Sequence, residues 1–220
     1  MLNIPEYKSA DKFFRFFEEI SRIPHTSSNT SQIADYLENF AKERNLELRM
    51  QSYCFPPTRR SACDSCKEFS RISAEEAGRL VADEILYREG PESIKVRAQN
   101  LATPLQKSCD LDNGEPMQCL AGRSQFWLAW NGNMTPCGML STPFTQPFQK
   151  GFLPAWDEIR QLTDSIRLCP DCSKCETSAF CMNCAAVTFA ETGKFDGKPE
   201  YMCRLSEAYR NRIAELAEEL

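Results

Sequence analysis

The chain has 220 residues, 42% of them hydrophobic and 26% charged, so it suits one or two folded domains and is too apolar for a disordered polymer. Its formal net charge of −5 argues against a nucleic-acid-binding module, which carries a basic surplus. No apolar run approaches the roughly 18–20 residues of a membrane span, and the opening MLNIPEYKSADKFF lacks the basic and apolar regions of a signal peptide.

Residues 10–50 predict two amphipathic helices. Phe13, Phe16, Phe17 and Ile20 fall at i, i+3, i+4 and i+7, and Ile33, Tyr36, Leu37 and Phe40 repeat the spacing. Between them lies a polar turn containing His25, with Thr30 or Ser31 as N-cap and His25 facing solvent. Leu46 to Phe55 predicts a strand stopped by Pro56-Pro57, followed by Arg59-Arg60 and the Cys63-x2-Cys66 pair. A helix is expected from Ser73, with Glu76 completing a capping box, Ala77, Leu80, Val81 and Ile85 inward, and Gly90-Pro91 as its stop. Ile94 to Val96 predicts a short strand. Phe126 to Trp130 and Met134 to Leu140 predict a hairpin turning at Asn131-Gly132. Ala155 to Ile166 and residues 204–220 predict two further helices, the last with Leu205, Tyr209, Ile213, Leu216 and Leu220 on one face.

Twelve cysteines and one histidine decide the chemistry. With no export signal, so many thiols point to a cytoplasmic, metal-binding protein rather than a disulfide-stapled one. A single imidazole excludes zinc fingers with two histidine ligands, His-rich zinc peptidases and Rieske-type clusters, leaving all-thiolate iron–sulfur or four-cysteine zinc sites. From Cys119 the spacing is C-x12-G-x4-C through Gly132 and Cys137, then Cys172-x2-Cys175-x5-Cys181-x2-Cys184, then eighteen residues and Cys203. Seven thiolates exceed one four-ligand centre, so two centres are expected. Cys54 and Cys109 are expected to be packed thiols, and Cys63 with Cys66 either a packed or incidental pair or a metal-binding one. Trp127 and Trp130 are expected to pack over the metal site, Arg59-Arg60 to be solvated, and the Glu-rich last helix to present a solvated face.

This pattern resembles the SPASM domain, the C-terminal auxiliary-cluster domain of radical S-adenosylmethionine enzymes, whose signature is C-x9–15-G-x4-C, C-x2-C-x5-C-x3-C and a final C. The departure is two residues between Cys181 and Cys184 in place of three. The likeness is specific over about residues 115–205 and looser back to FPPTRR at Phe55, which resembles the end of a barrel strand and its loop. It implies a first [4Fe–4S] cluster on Cys119, Cys137 and Cys184 and a second on Cys172, Cys175, Cys181 and Cys203. The fourth position of the first cluster falls to Cys109, to Cys169 or to an open site. The C-x3-C-x2-C loop of the radical-generating cluster is absent from the sequence, and the chain ahead of Cys119 is too short for the catalytic barrel. S-adenosylmethionine is thus expected only in a full-length relative, and this chain alone is not expected to be catalytic.

Residues 14–48 resemble the opening helices of aminoacyl-histidine dipeptidases, whose dizinc site one histidine cannot assemble. The chain therefore reads as a junction of two partial genes near Leu48 to Gln51. The expected architecture is α+β: a helical segment at 1–50, a barrel remnant and linker at 51–114, and the cysteine-rich domain at 115–220 with a β-hairpin and a C-terminal helix. The expected function is binding of two auxiliary clusters in peptide or protein modification, with a peptide or protein substrate as partner and neither nucleic acid nor membrane. The rivals are a structural four-cysteine zinc interaction module and a truncated dipeptidase fragment.

Overall fold

The computed structural model describes residues 7–24, 31–49, 71–102, 114–117 and 119–220. The chain divides into two compact units, Met1–Met50 and Gln51–Leu220. The described residues are mostly helical with one two-stranded antiparallel sheet, which is α+β at the coarse level.

The first unit is a pair of helices, α1 (Tyr7–Arg22) and α2 (Ser31–Glu43). The apolar spacing brings Phe16 edge-on to Phe40 with ring centroids 5.0 Å apart. The Tyr36 hydroxyl donates to Glu19 at 2.8 Å, and the Arg44 guanidinium lies 3.9 Å over the Phe40 ring. Phe17, at 62% exposure, stays outside this contact. Helix α2 ends in a Schellman turn: Asn45 takes φ +51°, its N–H bonds Lys42 O at 3.2 Å, and the Leu46 N–H bonds Ala41 O at 2.9 Å. That cap commits the Leu46 amide to the helix, and residues 46–49 form no strand, contrary to expectation. The rest of the predicted Leu46–Phe55 strand, with His25, Cys54, Arg59, Arg60, Cys63, Cys66 and Cys109, lies outside the described residues.

In the second unit Ser73 caps α3 (Ala74–Glu89), its hydroxyl accepting the Glu76 N–H at 3.2 Å as the capping box predicts. Gly90, at φ +81°, closes α3 with its N–H on Leu86 O and directly precedes α4 (Pro91–Gln99). The strand predicted at Ile94–Val96 is therefore a helix. Pro91 brings a φ suited to a first helical position, and the inward side chains are Ile94, Ala98 and Leu101 at helical spacing, while Val96 is 56% exposed.

The last helix, α9 (Glu200–Glu219), begins before the predicted residue 204 and packs along α3. One core joins Ala82, Ile85, Ile94, Phe180, Tyr209, Ile213 and Leu216; a second joins Ala74, Ala77, Val187, Met202 and Leu205. Leu220, placed on the apolar face by the sequence, is 52% exposed. The helices of the segment expected as a barrel remnant thus share their core with the end of the cysteine-rich segment.

Arg71 and Glu191 join the entrance of α3 to α8 (Ala185–Thr192) by an ion pair whose side chains are 10% and 6% exposed, with a second contact at 3.0 Å. The guanidinium also stacks 3.7 Å over the Tyr201 ring. Breaking a buried pair costs far more than forming it gains. Glu191→Gln is therefore expected to destabilise the chain by about 3 kcal/mol, measured as a lower urea midpoint with an unchanged slope.

The hairpin forms between β1 (Trp127–Leu128) and β2 (Met134–Thr135), with Leu128 opposite Met134. Its turn differs from the two-residue one predicted at Asn131-Gly132. The Gly132 N–H bonds Ala129 O at 2.9 Å and the Ala129 N–H bonds Asn133 O at 2.8 Å, giving a three-residue loop in which Gly132 alone takes a positive φ, +82°. Two helices follow, α5 (Pro147–Lys150) and α6 (Phe152–Asp164), with Ala155, Ile159 and Thr163 buried from α6. No described helix is long and apolar enough to cross a membrane.

Candidate metal centres

Two strand-like segments bring the cysteines together. Residues 115–117 lie antiparallel to 166–168, with the Leu168 N–H on Glu115 O at 2.8 Å and the Met117 N–H on Ile166 O at 3.4 Å. The chain entering Cys119 therefore runs beside the chain entering Cys169. This approach needs Gly114: at φ +75°, a Cβ there would sit 1.9 Å from Leu168 O.

The loop after Cys119 is tied down twice. Arg123 donates from Nη1 to Cys119 O at 2.8 Å and from Nε to Asp164 at 2.9 Å. The Gly122 N–H donates to Pro136 O at 3.1 Å, one residue before Cys137. Cys137 packs against the small core of Met117, Ala121, Ile166 and Ala185. Cys184 stands at the N-cap of α8, where Asn183 reaches across to the buried Thr188 hydroxyl at 2.8 Å. Burial pushes the Cys137 thiol up; N–H bonds from Met139 and Leu140 to its sulfur oppose this, and the neighbouring Cys184 and Cys119 sulfurs add to it. Cys119, Cys137 and Cys184 thus come together from three separate stretches of chain, with Cys119 and Cys184 exposed.

The second group is built on a repeating turn. The N–H of Cys172 bonds Cys169 O, that of Cys175 bonds Cys172 O, that of Ser178 bonds Cys175 O and that of Cys181 bonds Ser178 O. These turns keep Cys169, Cys172, Cys175 and Cys181 close along the chain, with Cys169 and Cys181 in extended conformations at ψ 125° and 121°. The stretch includes α7 (Pro170–Ser173) and the short 3-10 turn Ser178–Phe180. Cys203 joins them from the first turn of α9, its N–H on Pro199 O at 3.0 Å. The Cys172 thiol is pushed up to about 12, by burial first and then by Cys169, Cys181 and Cys203. Burial also raises Cys203, helped by Glu200, Cys181 and Cys175 and opposed by Lys198. Raised pKa values keep these metal-free sulfurs as thiols at neutral pH; a bound cation would supply the charge that favours thiolates.

Cys137 thus has Cys184 and Cys119 as electrostatic neighbours, and Cys172 has Cys169, Cys181 and Cys203. The structure adds a fifth thiol to the second set, because the buried Cys169 hydrogen-bonds Cys172. Of the two thiols suggested to complete the first set, Cys169 stands with the second. Among the described residues, no three or more His, Cys, Asp or Glu side chains converge where one metal ion could sit.

Supporting groups that the spacing did not single out are Arg123, Asn183 with Thr188, and Thr177, whose hydroxyl lies 3.1 Å from the Cys175 sulfur. Their only trace in the sequence is a polar residue within a few positions of a cysteine. Of the tryptophans expected over the site, Trp127 lies against Gly138, where an added Cβ would be 3.4 Å from its ring. Trp130, at the tip of the hairpin, is 92% exposed, because the longer turn throws it outward. No protein-family model, curated protein or solved structure matches this chain.

Proposed function

We propose that this chain binds two [4Fe–4S] clusters and serves as the auxiliary-cluster part of a radical S-adenosylmethionine type of system acting on a peptide or protein. Cys119, Cys137 and Cys184 would hold one cluster, and Cys172, Cys175, Cys181 and Cys203 the other. The observation that carries this reading is the sorting of the thiols into two groups, each drawn from remote stretches of chain.

When bound, such clusters supply one-electron transfer or a Lewis-acidic iron. This chain's own residues hold them and set their surroundings. The N–H groups of Met139 and Leu140 aim at the Cys137 sulfur, which favours the reduced, more negative state of a cluster there. The exposure of Cys119 and Cys184 leaves the first centre open to a partner or substrate group.

Anaerobic purification tests the proposal. A brown protein is expected, with broad absorbance near roughly 400 nm and about eight irons and eight acid-labile sulfides per chain. A colourless protein holding stoichiometric zinc would replace this reading with the zinc interaction module.

A further inference from the structure

A cavity of about 650 Å³ lies between α3, α4, α9 and the loop that carries Cys181. Its volume falls within the range of small-molecule sites. Val81, Ile85 and Phe180 give it apolar walls, and Arg97, Asn100 and Tyr209 give it a polar end. Arg97 is the one charged residue among its lining, and no carboxylate faces it from that lining. One side of the guanidinium is held by Glu89 at 3.1 Å, and that carboxylate is shared with Arg88 and Ser93. The Arg97 Nε is buried with no hydrogen-bond partner among the described residues. A third of the Arg97 side chain remains exposed, and a guanidinium matches a carboxylate better than any neutral acceptor. The Tyr209 ring is buried beside it and hydrogen-bonds Arg97.

From this arrangement we infer that the cavity binds a ligand with a free carboxylate on an apolar body, of the kind a short apolar peptide presents at its C-terminus. The carboxylate accepts from the exposed part of the Arg97 guanidinium and from the Tyr209 hydroxyl, and the apolar side chain lies against Val81, Ile85 and Phe180. Cys181 forms part of the same wall, so the bound ligand stands beside a thiolate of the second centre; this last point rests on the cluster reading, whereas the cavity and its Arg97 do not.

The probe is N-acetyl-Leu-Phe, titrated calorimetrically into the anaerobically purified full chain, with its C-terminal amide as comparison and iron measured on the same samples. One-to-one saturable binding is expected, weaker for the amide by about tenfold or more, as loss of a charge-assisted hydrogen bond predicts. Arg97→Met is expected to weaken the acid to the level of the amide and to leave the amide unchanged. Ala179→Trp, which fills the mouth of the cavity from an exposed position, is expected to abolish binding of both. Equal binding of acid and amide, indifference to both substitutions, or no saturable binding would overturn the inference. Iron-loaded protein without binding would sink this inference alone; binding by an iron-free protein would sink the cluster reading alone.

Discussion

Cys203→Ala is expected to remove close to half of the iron and sulfide from anaerobically purified protein, and Cys172→Ala is expected to remove much less. The difference follows from the number of sulfurs available on each side of the second centre. The stretch from Cys169 to Cys181 holds four thiols, and Cys169 already hydrogen-bonds Cys172. Loss of Cys172 therefore leaves a replacement one turn away. Helix α9 brings one cysteine, Cys203, to this group, and it carries no second thiol to take its place. The double variant Cys169→Ala/Cys172→Ala is accordingly expected to match Cys203→Ala. Cys137→Ala should remove the other half, because the small core that holds its sulfur offers no second thiol beside it. The readings are iron per chain and absorbance near roughly 400 nm. Equal, full iron in Cys203→Ala and the parent would remove Cys203 from the ligand set.

The second large effect lies in the helix packing. Gly78→Ala is expected to destabilise the chain by about 2–3 kcal/mol, and Gly78→Leu to prevent folding. A Cβ at Gly78 would meet Leu205 O at 2.3 Å, Ala208 Cβ at 2.8 Å and Tyr209 N at 2.8 Å. Two of these are backbone atoms of α9, which cannot yield by changing rotamer. The two helices must separate, and both cores along their contact loosen together. Alanine's better helix propensity, worth about 1 kcal/mol, offsets only part of this. Urea denaturation measures the result, with Tyr87→Ala, on the exposed side of the same helix, staying within about 0.5 kcal/mol of the parent. A neutral or stabilising Gly78→Ala would show that α3 and α9 do not approach as described.

Local signals carried much of this architecture into the sequence. Ser73 with Glu76, and Leu205, Tyr209, Ile213 and Leu216, were legible because capping and helical periodicity are short-range and repeat. Ile94–Val96 misled because three residues show alternation by chance; the spacing that governs them runs to Ala98 and Leu101, beyond so short a window. Asn131-Gly132 gave the hairpin but not its loop, since a two-residue and a three-residue turn can both place glycine at a positive φ. The cysteine spacing offered Cys169 as a fourth ligand of the first set, whereas its thiol stands beside Cys172. Its position depends on backbone turns whose i→i+3 bonds leave no signature beyond the spacing itself. Gly78 was likewise unreadable: its role depends on how closely a helix more than a hundred residues later approaches.

Helix α9 carries Cys203 in its first turn and continues into the main core through Tyr209, Ile213 and Leu216. The last ligand proposed for each set, Cys184 and Cys203, is synthesised within nineteen residues of the other. On the cluster reading, an inorganic core that takes Cys203 also pins the start of α9 to the loop of Cys172 and Cys175, so loading it with iron fixes where the helix that completes both cores is seated.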